Sequence, residues 1–277
     1  MELTKESFER DWKNFLNVGL KACRLGREVL LTHFGRLEHI EEKEQAGLVS
    51  EADKESEEVI KRYLKDFNPQ IGFLGEESAF IEMQEIGPKS QAKNTAKPAT
   101  KVIPGAIGGP GQTRWILDPL DGTTNYVHRF PIFCVSLGLE VQGELVLGVI
   151  DMPALGETYT AVKGHGAFVN GKRMKVSSTS EFKNSLLATG FFPTPSAELD
   201  HQISVFAGLV KETRGIRRAG AAAYDLCQVA RGVFDGFWEK NLQAWDSAAG
   251  VVLVREAGGV VVNYRGEDYT TADDSLI

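Results

Sequence analysis

Trp115-Ile116-Leu117-Asp118-Pro119-Leu120-Asp121-Gly122-Thr123-Thr124-Asn125 sets an apolar run against two carboxylates three residues apart and a Gly-Thr-Thr turn. The apolar run reads as a short buried strand, 115–117, that ends in Asp118. Two acids at a strand's end, held by a Pro and Gly turn, suit a hard cation. Mg²⁺ takes a few carboxylates plus waters and phosphate oxygens in near-octahedral geometry. Pro119 stiffens the turn and leaves the Leu120 carbonyl as a further oxygen ligand. The alternative is an ordinary turn with its acids facing water. The backbone N–H groups of Gly122-Thr123-Thr124 would hold an anion well if they open a helix.

Three further acids lie in comparable places. Glu76 and Glu77 follow a predicted strand and Gly75, which also fits a solvated loop. Asp246 stands between Trp245 and Ser247-Ala248-Ala249-Gly250, where it reads as the N-cap of a helix. A capping acid can also be a ligand. Four acids at the ends of strands or the starts of helices could converge on two or three divalent ions. Paired metals orient and acidify a water and stabilise the leaving oxygen of an in-line phosphoryl transfer.

Around these points the chain predicts an α/β (α+β) fold. Phe8, Trp12, Phe15, Leu16, Gly19, Cys23, Gly26, Val29 and Leu30 share one helical face, giving a long helix that ends near Phe34. A second helix is expected from Asp53 to just before Asn68-Pro69, followed by a strand at 71–74. Strands at 132–141, 145–150, 158–162 and 167–169 have connections too short for helical crossovers, so they pair antiparallel, with Asn170-Gly171 as a hairpin turn. The remainder alternates strands at 186–189, 234–238 and 260–263 with helices at 199–210, 221–230 and 247–256. The expected division is an N-terminal α+β metal-binding half, 1–184, and a C-terminal α/β substrate-closing half, 185–277.

Composition bounds the function. Among 277 residues, 31 Lys and Arg stand against 38 Asp and Glu, a net charge of −7, which disfavours nucleic acid as a partner. With 42% hydrophobic and 25% charged residues the chain can bury a core. The first ten residues lack the apolar segment of a secretory signal, and no apolar run approaches a bilayer span, so the expected location is the cytoplasm, with no membrane contact. Cys23, Cys134 and Cys227 are odd in number and far apart, which fits buried thiols in a reducing compartment. Residues 87–111 are rich in Gly and Pro, with Lys89, Lys93, Lys97 and Lys101 as their only charges, and read as a loop or lid inserted between the Glu76 and Asp118 motifs.

Gly75-Glu76-Glu77-Ser78, the run from Trp115 through Asn125 to Tyr126-Val127-His128-Arg129-Phe130-Pro131, and Trp245-Asp246-Ser247-Ala248-Ala249-Gly250 together resemble the signatures of the inositol monophosphatase family, bacterial type. The likeness covers nearly the whole chain outside the Lys-bearing insertion. It implies a layered αβαβα sandwich of the sugar-phosphatase type. It also implies Mg²⁺-dependent hydrolysis of a phosphate monoester, myo-inositol 1-phosphate or a related polyol phosphate, by direct attack of water. Glu76, Asp118 and the Leu120 carbonyl would hold one Mg²⁺; Asp118, Asp121 and Asp246 would hold a second, and a third would sit near Glu76 through waters. Glu77 would support them, and Thr123 with Asp53 would orient the water. Asp121, Gly122, Thr123, Gly220, Ala221, Ala222, Glu239 and Asp246 would meet the substrate. Lys43 is the candidate for the lysine of the family's loop before Asp53.

The resemblance further implies a homodimer. Rival substrates are fructose 1,6-bisphosphate, 3′-phosphoadenosine 5′-phosphate and NADP, and bacterial relatives can also bind the transcription machinery. Two departures stand out: the insertion at 87–111, and an end at Asp274-Ser275-Leu276-Ile277 where family members continue into a closing helix. Other tempting residues read as structural: His128 as a support for its motif, His165 as a loop residue, and Arg214, Arg217 and Arg218 as either a solvated basic edge or an anion site.

Overall fold

Apolar residues at helical spacing bury one face of α1 (Lys5–His33) through Phe8, Phe15, Val18, Ala22, Cys23 and Leu30. Thr4 caps the helix by accepting the Ser7 amide at 3.2 Å. A hairpin of β1 (Ile40–Lys43) and β2 (Gly47–Ser50) leads into α2 (Glu51–Phe67), which packs beside α1 through Ala52, Ile60 and Leu64. These are features of a computed structural model that describes residues 3–43, 47–86, 112–191 and 195–277. The expected loop or lid at 87–111 lies outside the described residues.

α1 and α2 cover one face of a seven-stranded sheet. Its strands stand in chain order: β3 (Gly72–Gly75), β4 (Arg114–Asp121), β5 (Cys134–Val141), β6 (Glu144–Met152), β7 (Glu157–Val162), β8 (Gly166–Val169) and β9 (Lys172–Arg173). β3 and β4 run parallel and every later pair is antiparallel, as the short connections require. Asn170 and Gly171, both with positive φ, make the β8–β9 turn. Between β3 and β4 the chain forms α3 (Glu76–Ile86), and after β4 comes α4 (Thr123–Val127).

The smaller sheet has the order β11 (Gly215–Arg217), β10 (Leu186–Thr189), β12 (Gly236–Lys240), β13 (Ser275–Leu276). β10 is parallel to both neighbours, so its crossovers are helical: α5 (Ala197–Glu212) leads to β11 and α6 (Ala222–Ala230) leads to β12. α7 (Ala244–Glu256) packs on α6 and on β4 to β8. Its residues from Ser247 to Val254 are buried all round, as a helix between two sheets must be. The result is the expected αβαβα layering. One core fills the space between the large sheet, α1 and α2; a second joins that sheet to α6, α7 and the small sheet.

Several local expectations need correction. Glu76 and Glu77 open a helix rather than lie in a loop. α2 begins at Glu51, two residues early, because Ser50 and Asp53 cap it reciprocally. β4 continues past Asp118 to Asp121, using three residues where β5 uses two, so Pro119-Leu120 is a bulge in a strand rather than a turn after one. Residues 260–263 contribute only a bridge from Val262 to Asp268. Asn263 ends extension there: its Oδ1 accepts the Arg265 and Glu267 amides at 2.9 and 3.1 Å and folds the chain back. The final residues are paired, with β13 on β12 and Ile277 exchanging backbone hydrogen bonds with Val262.

Candidate active site

β4 and the first turns of α3 and α7 bring the acids together. Asp118, 3% exposed, accepts the Leu120 amide at 3.0 Å through Oδ1, a contact that the bulge makes. Asp121, 9% exposed, accepts the Ala223 amide at 2.7 Å and the Cys134 thiol at 3.7 Å. Asp246 is the third residue of α7 and accepts the Gln243 amide at 2.6 Å. Gln243, rather than Asp246, is therefore the N-cap, and the carboxylate reaches back to it. Glu76 stands half-buried in the first turn of α3.

These carboxylates feel one another. Burial, then the charges of Glu76, Asp121 and Asp246, push Asp118 well above the usual carboxylate range. Burial likewise raises Asp246; the Gln243 amide opposes it, and Glu76, Asp121 and Glu239 add to it. Burial pushes Asp121 up to about 6 although the Ala223 amide and the Cys134 thiol hold it down. The strongest charges acting on Asp118 are all negative, and burying like charges costs free energy that a cation between them would return. Glu76, Asp118, Asp121, Asp246 and the Leu120 carbonyl are all hard oxygen donors, the set Mg²⁺ prefers. Among the described residues no three acidic, His or Cys side chains are already drawn in around one point, so the fit lies in the donor chemistry and the uncompensated charge.

Asp53 and Thr123 meet beside this cluster. Thr123 Oγ1 lies 3.0 Å from Asp53 Oδ1 and 3.1 Å from the Leu120 carbonyl. The hydroxyl has a single proton, and the carboxylate is the stronger acceptor. Asp53 Oδ2 takes the Ser50 amide at 2.8 Å and the Ser50 hydroxyl at 2.7 Å, so both carboxylate oxygens are fixed. Lys43 ends β1, and its side chain lies outside the described residues.

Gly122-Thr123-Thr124 lead into a helix, α4, that is one turn long. Gly122 has φ 90°, and a Cβ there would lie 2.8 Å from the Ile132 carbonyl and 3.3 Å from Ala221. Glycine thus lets this turn meet the one that starts α6. Asn125 Nδ2 locks the two together by donating to the carbonyls of Ile132 at 2.8 Å and Ala219 at 2.9 Å. Gly220, Ala221 and Ala222 accordingly stand against the end of β4. Glu239, on β12, is half-buried and pushed up to about 8 by burial and then by Asp121, with Arg218 opposing.

Three residues escaped the sequence reading. Glu57 on α2 accepts the amides of Glu77 and Ser78 at 2.9 and 2.8 Å and also bonds the Ser78 hydroxyl, so it ties the first turn of α3, which carries Glu76, to α2. Its signal was only that a buried acid interrupts the apolar face of α2. Asp225 is 1% exposed, its Oδ1 has no hydrogen-bond partner among the described residues, and burial and then Glu239 push it well up. Gly190 underlies Glu239. His165 takes the loop place read for it, stacked on Trp12 and bonded to Glu9, while Arg218 is exposed and donates to the Phe191 carbonyl.

A phosphatase-type layered fold with clustered acids, a capped helix start and a Thr-Asp pair defines the class. Residues 11–277 match the inositol monophosphatase family, and the chain belongs to it. It is 38% identical over 255 residues to a protein of Pseudomonas aeruginosa named Nus factor SuhB, covering 91% of this chain and 86% of that one. It is 37% identical over 263 residues to an Aquifex aeolicus protein named fructose-1,6-bisphosphatase/inositol-1-monophosphatase, covering 94% and 89%. The solved structure of extragenic suppressor protein suhB from Bartonella henselae superposes with a TM-score of 0.78 at 36% identity, covering 95% of this chain and 92% of that one.

Proposed function

We propose that the protein is a Mg²⁺-dependent phosphate monoester hydrolase acting on myo-inositol 1-phosphate or a related polyol phosphate. The observation that carries this reading is the Thr123–Asp53 hydrogen bond beside the cluster of Glu76, Asp118, Asp121 and Asp246. Mg²⁺ held by those four carboxylates and the Leu120 carbonyl would supply charge neutralisation and a more acidic water. With its proton committed to Asp53, Thr123 Oγ1 presents lone pairs that accept a hydrogen bond from a water and aim it. Asp53 Oδ1 would receive the water's proton through Thr123 as the water oxygen bonds to phosphorus, while a second, solvent water would protonate the leaving alcohol oxygen as the ester P–O bond breaks. The amides at the start of α4 would donate hydrogen bonds to the phosphate oxygens. Glu239, Asp246 and the Gly220-Ala221-Ala222 turn border the polyol end.

The three cysteines are free and buried, which supports the expected reducing, cytoplasmic setting. Among the described residues no helix is long and apolar enough to cross a membrane. The name Nus factor SuhB carried by a relative supports a second reading, a partner in the transcription machinery alongside catalysis. Family resemblance alone puts a homodimer in the same reading. The name of the Aquifex relative keeps fructose 1,6-bisphosphate as the rival substrate.

The test is phosphate release, with and without Mg²⁺, from myo-inositol 1-phosphate, fructose 1,6-bisphosphate, 3′-phosphoadenosine 5′-phosphate and NADP. Preferential Mg²⁺-dependent cleavage of the inositol ester supports the reading. Preference for a nucleotide or bisphosphate replaces the substrate, and no cleavage by folded protein overturns the activity.

A further inference from the structure

The carboxylate of Glu239 occupies the space where any other residue at position 190 would carry a side chain. A Cβ built on Gly190 would lie 2.1 Å from Glu239 Oε2 and 2.3 Å from both Cδ and Oε1. All three carboxylate atoms therefore rest on the bare Cα of the glycine. The backbones beneath them are clamped. β10 and β12 pair in parallel with Thr189 opposite Trp238, and Thr189 Oγ1 donates to the Trp238 carbonyl at 2.8 Å. On its other edge β12 is held by β13, with Glu239 opposite Leu276. A Cβ at 190 must consequently displace the flexible side chain rather than the strands.

Gly190 does not have the positive φ that reserves a site for glycine, so alanine fits its backbone conformation. The charges around it bias where a displaced carboxylate goes. Asp121, Asp225 and Asp246 repel it, whereas Arg218 attracts it. Arg218 is itself pinned, with a guanidinium nitrogen 3.0 Å from the Phe191 carbonyl and its centre 5.6 Å over the Phe191 ring. Gly190 and Phe191, consecutive residues past β10, thus seat both the acid and the base at this end of the site.

Resting on the phosphatase reading above, we propose that Gly190 is the positioning residue for Glu239 and, through it, sets the preference for esters whose alcohol carries ring hydroxyls over esters without them. A seated Glu239 accepts hydroxyl hydrogen bonds from the polyol. A Glu239 swung toward Arg218 does not, while the acids and the Thr123–Asp53 pair that act on the phosphate stay in place.

The experiment compares kcat/KM for myo-inositol 1-phosphate and for p-nitrophenyl phosphate, an ester with no hydroxyl, at saturating Mg²⁺. The proteins are the parent, Gly190→Ala, Glu239→Asp and the double variant. Gly190→Ala is expected to lower the inositol-to-aryl ratio about tenfold, the scale of one hydrogen bond to a carboxylate. The shorter acid of the double variant draws its carboxylate back by one bond and can turn aside from the new methyl group, so its ratio should lie close to that of Glu239→Asp alone. An unchanged ratio in Gly190→Ala, or an equal fall for both esters, overturns the proposal and leaves the phosphatase reading standing. If Gly190→Ala does not fold, the comparison of the double variant with Glu239→Asp decides, and a tenfold gap between them contradicts the proposal. A parent that hydrolyses neither ester overturns the phosphatase reading and this proposal with it.

Discussion

Thr123 and Asp53, seventy residues apart in sequence, are joined by a hydrogen bond of 3.0 Å from the Thr123 hydroxyl to Asp53 Oδ1. Asp53 belongs to the cap of α2 and Thr123 to the first residue of α4, so the bond fastens the helical layer to the strand that carries Asp118 and Asp121. The pair should act as a unit. Asp53→Asn and Thr123→Ala are each expected to lower kcat by about a hundredfold or more, the range of a positioned acid-base group. The double variant should lose little beyond the worse single change. Mg²⁺ affinity by calorimetry should stay near the parent's, because neither residue is proposed as a ligand.

The raised acids make a signed prediction about stability. Asp118, Asp121 at about 6, Asp246 and Glu239 at about 8 all sit above their ordinary values. A raised carboxyl binds its proton more tightly folded than unfolded. Its contribution is complete below the unfolded value near 4 and is lost as pH rises through the folded one. Metal-free protein should therefore have a lower Tm at pH 8 than at pH 5. Added Mg²⁺ should raise Tm more at pH 8, where the site is fully charged. A Mg²⁺ effect that is equal at both pH values would contradict the account.

Glu57 should govern the affinity of the cluster without touching it. Its carboxylate holds the amides of Glu77 and Ser78. Glu57→Ala should cost about 1–3 kcal/mol in denaturant unfolding, the range for orphaned buried donors. It should also weaken Mg²⁺ binding about tenfold as the turn bearing Glu76 loosens. Unaltered Mg²⁺ affinity in a folded Glu57→Ala protein would show that α3 holds Glu76 without this tie.

Arg114 and Glu140 form an ion pair at 2.6 Å with both side chains 3% exposed, and Thr271 bonds both partners. Arg114→Ala strands the Glu140 carboxylate and should cost about 3–5 kcal/mol. Replacing both by Met and Leu should recover most of that loss. A small cost for the single change would mean that water reaches Glu140.

These relationships show what the sequence could and could not carry. The antiparallel strands were legible because alternation and Gly-bearing turns are local, and α1 because Phe8 through Leu30 repeat with helical period. The acids of β4 and α7 were legible as residue types in ordered motifs. α3 was not, since its start is defined by Glu57, nineteen positions before Glu76 and on another element. The bulge at Pro119-Leu120 depends on pairing with β5. β11 and β13 are three and two residues long and exist only by lying beside β10 and β12. Gly190 looked like any glycine ending a strand until β12 placed Glu239 over it. Asp225, one position past Tyr224 in an apolar helix, becomes conspicuous only when its carboxyl is found buried with Oδ1 unpartnered among the described residues.

The central claim is that the acid cluster binds Mg²⁺ and makes the chain a phosphatase. Asp118, the most buried of its proposed carboxylate ligands, tests that most directly. Phosphate release from myo-inositol 1-phosphate is measured against Mg²⁺ concentration for the parent and for folded Asp118→Asn. The account predicts Mg²⁺-dependent turnover in the parent and at least a hundredfold loss in the variant that added Mg²⁺ does not restore, about the scale for removing a ligand. Full Mg²⁺-dependent turnover by Asp118→Asn would contradict it.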